Sequence, residues 1–182
     1  MDLLEGIRNR TSALKLTEPG PTREHIQKII EAGTRAPDHG RLRPWRFVVL
    51  EGDARKKLGD AMAALLREKF PDATESQLAA EAAKPFRAPT IIAVGAKITK
   101  GKIPEIEQVC AVAAAIQNMF LAANALGYGA MWKTGTAAYA SSVKALLGFA
   151  PEDHIVGYLY LGTTATPGPL VEAPTEGVVR WL

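Results

Sequence analysis

The chain is short of the side chains that build most catalytic machinery. It has one cysteine, Cys110, and three histidines. An intramolecular disulfide is therefore impossible, and a lone thiol suits a reducing compartment. His25, His39 and His154 stand apart, with no cysteine or carboxylate at metal-ligand spacing, so no metal site is expected. A GxxxxGK[ST] phosphate loop and a GxSxG nucleophile elbow are both missing, and "GYGAMW" (127–132) lacks the third glycine of a dinucleotide fingerprint. Long hydrophobic runs are absent too. The most apolar stretch, 109–126, is interrupted by Gln117, Asn118 and Asn124, which favours a buried helix over a membrane span. The N-terminus has no signal-type apolar segment, so the expected location is cytoplasmic. Charge of one sign is scarce as well. With 22 basic and 19 acidic residues the net charge is +3, too little for a nucleic-acid binder unless clustered, and better matched to a small anionic ligand.

What is present fits one globular domain, 1–182, with residues 165–182 as a C-terminal arm. At this length folding buries roughly 70% of the unfolded chain's surface, so the core needs no metal or disulfide support. Asp2 and Glu5 have capping-box spacing ahead of Leu3, Leu4 and Ile7, predicting a helix over 2–9. Thr22 caps a second helix that carries Ile26, Ile29, Ile30 and Gly33 on one face. A strand follows over 46–50, then a helix capped by Asp53 and an exposed helix over 75–84. "PTIIAVGAK" (89–97) reads as a buried strand. An alanine-rich helix from Pro104 to Leu126 is the central one, with Cys110 as a structural residue on it. A strand within 127–135, a helix capped by Ser141 or Ser142, and a strand over 154–164 complete the pattern. Neither strict βαβ alternation nor a bundle results; the order predicts an α+β fold with a sheet covered by helices. His25 is expected to be exposed on its helix and His154 to lie at a strand edge.

Candidate chemistry is confined to cations and hydroxyls at turns. Arg10, Thr11 and Ser12 follow the first helix, where an arginine fork and a hydroxyl can converge on a phosphate. The same arginine would equally complement a helix C-terminus. Met131, Trp132, Lys133 and Thr134 end a strand, although an interfacial tryptophan is also ordinary packing. Arg35 and His39 lie four apart in "RAPDHGRLRPWRFVVLEG" (35–52), a basic turn before a strand. None of these supplies a nucleophile or a proton relay, so catalytic side chains are expected to be none. Such a site suits a cofactor that carries its own chemistry, and a phosphate-bearing flavin fits.

Taken together, "NRTS" (9–12), "AGTRAPDHGRLRPWRFVVLEG" (32–52), "FRAPTIIAVGAK" (86–97), "GYGAMWKTG" (127–135) and "VGYLYLGT" (156–163) make the chain resemble the flavin-dependent nitroreductase family. The likeness is greatest to its short, YdjA-like branch. The resemblance implies an α+β fold with a mainly antiparallel or mixed sheet, and a homodimer with FMN at the subunit interface. It implies a C-terminal segment that extends onto the partner. The implied activity is NAD(P)H oxidation by ping-pong hydride transfer through flavin N5 to a nitroaromatic, quinone or enone. A non-catalytic flavin-binding dimer is the alternative, and a nucleic-acid module using the basic loop is a third reading; no nucleic acid or membrane partner is expected. Carried over by position, Arg10, Thr11 and Ser12 hold FMN, with Arg10 and Ser12 nearest the phosphate. Met131, Trp132 and Lys133 contact it from the same subunit, and Arg35 and His39 reach the partner's flavin. Relatives in this branch often have arginine at the positions of Thr11 and Lys133. Larger relatives place a base where this chain has Leu14, beside Lys15. Which cation faces the flavin N1–C2=O edge, the roles of Arg41, Arg43 and Arg46, and the choice of NADH or NADPH therefore stay open.

Overall fold

The computed structural model describes residues 2–171 and 174–182. Its elements are α1 (Leu3–Asn9), β1 (Lys15–Thr17), α2 (Arg23–Gly33), β2 (Trp45–Leu50), α3 (Asp53–Lys69), α4 (Glu75–Ala82), β3 (Thr90–Ala96), α5 (Glu105–Ala125), β4 (Gly129–Lys133), α6 (Ser141–Leu146) and β5 (His154–Thr166). The strands form an antiparallel sheet in the order β1-β5-β3-β2, with β4 also paired to β5. The fold is α+β, as the pattern of elements predicts.

All seven residues of β3 are buried, because helices cover both faces of the sheet. Alternation then divides the core in two. Ile92, Val94, Leu159 and Leu161 face α2 and α5, meeting Ile29, Val112, Ile116, Met119 and Phe120. Ile91, Ala93, Tyr158 and Tyr160 face the other way, toward Leu58, Val143 and Phe149. Burying each large apolar side chain of α5 contributes roughly 1.5–3 kcal/mol, which is why this helix anchors the layer. Among the described residues α5 is the one helix long and apolar enough to cross a membrane, with mean hydropathy 1.4. Here its inner face packs on α2 and the sheet.

Several local expectations change. The strand β1 was not legible, since three residues show too little alternation to register. Helix α3 is preceded by Gly52 at φ 49, and Asp53 is its first residue and not its cap. Helix α6 begins at Ser141 after Ala140, with no side-chain cap. His25 is half-buried, its Nδ1 2.8 Å from the Tyr128 hydroxyl. Cys110 lies on the exposed side of α5. The stripe on α1 points outward: Leu3, Leu4 and Ile7 are 70%, 63% and 47% exposed.

The loop before β2 carries backbone strain. Gly40, Arg41 and Arg43 have φ of 69, 54 and 49, the left-handed region. For each arginine this costs roughly 1–2 kcal/mol. Three contacts hold the shape: the Arg43 N–H donates to Asp38 Oδ2 at 2.8 Å, the Lys97 N–H to the Pro44 carbonyl at 2.8 Å, and Pro44 and Trp45 are buried.

Candidate functional site

Helix α1 stops because Arg10 adopts an extended conformation, φ −63 and ψ 120. The chain then runs beside β4, where the Ala13 N–H donates to the Ala130 carbonyl at 2.9 Å. This bond carries the Arg10–Ser12 turn to the sheet. The Arg10 guanidinium lies 4.8 Å from the centre of the Phe120 ring, a stacking contact that limits its freedom. Arg10, Thr11 and Ser12 line a cavity of about 760 Å³ with Ile7, Arg8, Leu14 and the Pro169–Val171 segment. The arm passes so close that a Cβ on Gly168 would collide with the Ser12 carbonyl. Among the described residues no acidic side chain lines this cavity.

The same hydrogen bond reveals how β4 is oriented. Because Ala130 offers its carbonyl to Ala13, its polar groups face away from β5, and by alternation those of Trp132 do too. The strand therefore presents an open backbone edge at Trp132. The indole itself turns into the core, where Nε1 donates to the Val156 carbonyl at 3.4 Å across Gly157. A Cβ at position 157 would drive into that nitrogen. Gly157→Ala is accordingly expected to destabilise the fold by about 1–3 kcal/mol, read from denaturant unfolding; an unchanged midpoint would contradict this packing.

At the end of β4 a second cavity, of about 550 Å³, is lined by Met131, Lys133, Lys84, Arg87, Tyr158 and Tyr160 among others. Tyr158 is 4% exposed, and its hydroxyl has no hydrogen-bond partner among the described residues. An orphaned buried hydroxyl costs about 1–3 kcal/mol. Burial raises the Tyr158 phenol well above its ordinary value, so it remains a donor. Burial also pushes Tyr160 up to about 12, against a smaller opposing effect of Arg87. Lys133 is drawn below the ordinary lysine value, first by burial and then by its like-charged neighbours Arg87 and Lys84. Its ammonium sits 5.7 Å from the Tyr160 ring centre. Glu81 pairs with Lys84 at 2.5 Å, leaving Arg87 and Lys133 without an ion-pair partner among the described residues. This cavity suits a ligand that accepts hydrogen bonds and carries negative charge.

Arg35 and His39 enter neither cavity. Arg35 borders a separate hollow with Asp2, Leu3, Gly6 and the α5 residues Asn118 and Leu121. His39 is exposed, its Nδ1 2.6 Å from Glu107 on the first turn of α5. The fold thus joins Arg10, Thr11 and Ser12 to Met131, Trp132 and Lys133 across one hydrogen bond, and leaves Arg35 and His39 apart. Sequence reasoning missed Arg8, Lys84, Arg87, Tyr158 and Tyr160. The two tyrosines were detectable, being two apart on one strand and so on one face. Lys84 and Arg87 were not, because only the pairing of β3 with β5 brings them to the end of β4.

Fold and cavities define an α+β protein that offers an anionic ligand two cationic sites flanking an open strand edge. The chain belongs to the nitroreductase family, whose family model matches residues 7–163. It is 42% identical to YdjA of Escherichia coli K12, an NAD(P)H nitroreductase by name, over 90% of this chain and 88% of that one. A Haemophilus influenzae Rd protein, also named an NAD(P)H nitroreductase, is 34% identical over 90% of this chain and 89% of its own length. Among solved structures, a nitroreductase-like family protein of Bacillus cereus superposes with a TM-score of 0.84 at 24% identity, covering 100% of this chain and 96% of that one. One from Desulfovibrio desulfuricans, solved in complex with FMN, superposes at 0.77 with 26% identity, covering 98% and 95%.

Proposed function

We propose that the protein is an FMN-dependent NAD(P)H oxidoreductase of the nitroreductase type. The observation that carries this reading is the buried, unpartnered Tyr158 hydroxyl beside Lys84, Arg87 and Lys133, at the end of an open strand edge. A flavin fits this donor set: its pyrimidine edge accepts hydrogen bonds, and its phosphate matches the turn at Arg10, Thr11 and Ser12. In this reading Arg10 and Ser12 grip the phosphate, Met131 and Trp132 offer backbone groups to the ring, and Lys133 lies near it. Arg87, without an ion-pair partner among the described residues, would supply the positive charge near the ring that Leu14 cannot. Bound FMN supplies the chemistry of hydride acceptance from NAD(P)H and delivery to an electron-poor acceptor such as a nitroaromatic, quinone or enone.

The chain's own residues bind, orient and balance charge. Arg87 and Lys133 would lower the energy of negative charge developing nearby, and the apolar side chains of Leu58 and Met62 exclude water from the same cavity. No protein acid or base is needed when protons come from solvent.

Arg35 and His39 complete the site of a second copy in this reading, because neither lines the two cationic cavities of its own chain. The exposed α1 stripe and the apolar arm end, with Val178 78% and Trp181 93% exposed, support a homodimer in which residues 165–182 extend onto the partner. Residues 1–182 act as one domain in the cytoplasm, where the reductant is found. The test is the visible spectrum of the purified protein. A yellow protein that bleaches anaerobically with NADPH or NADH, and recovers on adding a quinone, is expected. A protein that takes up no FMN on titration sinks the reading; one that binds FMN but never bleaches is a carrier or sensor instead.

A further inference from the structure

Two loops far apart in sequence meet at the end of the sheet below α5. Arg46 pairs with Gly95 across β2 and β3, the Lys97 N–H donates to the Pro44 carbonyl, and Gly40 packs against Ile103. This contact gathers six exposed cations: Arg41, Arg43 and Arg46 from one loop, and Lys97, Lys100 and Lys102 from the other. None of the six takes part in an ion pair among the described residues.

The nearby carboxylates are already engaged. Asp38 accepts from the Arg43 backbone N–H, and Asp153 from the backbone N–H groups of Ile98 and Ala150. Glu107 and Glu105 each lie 2.6 Å from a histidine nitrogen, of His39 and His154 respectively. The four carboxylates keep their charge and the Arg46 guanidinium donates to the Arg43 and Trp45 carbonyls, but six cations still outnumber the acids here, a local positive excess in a molecule whose net charge is only +3. Arg41 and Arg43 are also held in the left-handed region, at φ 54 and 49, where a non-glycine residue persists only if its surroundings enforce it.

We infer that this patch binds the 2′-phosphate of NADPH, and that the protein therefore prefers NADPH to NADH. The proposal rests on the flavin reading for the direction of approach: His39 lies beside the partner's flavin, and four residues to Arg43 span at most about 14 Å of chain. A nucleotide with its reactive end at the flavin can then lay its distant end on Arg41 and Arg43. A terminal phosphate monoester carries between one and two negative charges near neutral pH, and arginine forks recognise it in bidentate fashion. NADH has a hydroxyl there.

The test uses two double variants, Arg41→Gln with Arg43→Gln, and Lys100→Gln with Lys102→Gln, in the FMN-loaded protein. The arginine pair is expected to lower kcat/KM for NADPH roughly tenfold or more, through KM, while NADH changes less than about threefold. Added salt is expected to raise KM for NADPH more steeply than for NADH. A binding measurement independent of turnover uses adenosine 2′,5′-bisphosphate against adenosine 5′-monophosphate, by calorimetry. The wild-type protein should bind the bisphosphate more tightly, and the arginine pair should abolish the difference. Equal losses for both reductants, no preference between the two adenosine phosphates, or tighter binding of a single-stranded oligonucleotide than of the bisphosphate would each overturn the proposal. Failure to take up FMN would sink the flavin reading but leave the calorimetry to decide the patch.

Discussion

Arg10→Ala is expected to weaken FMN binding by about one to two orders of magnitude while leaving the fold nearly as stable. Charge-assisted hydrogen bonds from a guanidinium to phosphate contribute roughly 1.5–3 kcal/mol, and alanine can supply none of them. The folded state loses only the contact at 4.8 Å between Arg10 and the Phe120 ring, worth roughly 0.5–1 kcal/mol. That corresponds to a change of a few degrees in Tm for a chain of this size. Fluorescence titration with FMN reads the first effect and thermal unfolding of the FMN-free protein the second. Arg10→Lys should fall between, since lysine keeps the charge but loses the planar fork. Unchanged affinity in Arg10→Ala would remove Arg10 from the phosphate site. Collapse of both affinity and stability would make it a structural residue.

Leu4→Glu should convert a dimer into a monomer that no longer retains FMN. Leu4 is 63% exposed on α1 and lines neither of the two cationic cavities. Burying it against a second copy would contribute roughly 1.5–3 kcal/mol. Glutamate puts a carboxylate into an apolar contact on each side, where it carries a desolvation cost of several kcal/mol per ion. The monomer itself should stay folded, because Leu4 does not belong to its core. Sedimentation and the visible spectrum read the result together. If Arg35 and His39 complete the partner's site, loss of the dimer and loss of flavin must coincide. A monomeric variant that holds FMN as tightly as the wild type would refute the shared site, and a variant that remains dimeric would move the interface elsewhere.

The fold was largely legible because its signals are strong and local. Ile26, Ile29 and Gly33 repeat at helical spacing on α2, and the apolar run Ile91–Val94 has no polar side chain to expose. The elements that misled are those whose ends depend on weak capping chemistry. Ser141 looked like a cap, yet Ala140 holds that place, and nothing in the local residues distinguishes the two. The strand β1 escaped notice because Lys15–Thr17 is a strand only through its pairing with Thr163–Thr166.

For the site, residue types and order marked Arg10, Thr11 and Ser12, the Met131–Lys133 strand end, and the turn holding Arg35 and His39 as candidates, and the family resemblance gave them their roles. Those groups are contiguous, so their chemistry can be read along the chain. The sequence alone also settled that no disulfide is possible, that charge is nearly balanced, and that the usual nucleophile and phosphate-loop motifs are missing. Tertiary structure decided what lies together. Lys84, Arg87, Tyr158 and Lys133 line one cavity although up to 74 positions separate them, because β4 pairs with β5 and β5 with β3. Arg41 and Arg43 join Lys100 and Lys102 for the same reason, through the pairing of β2 with β3. Charge and hydrogen-bonding capacity belong to residues, but a field and a cavity depend on distances, and distances across a sheet are set by register.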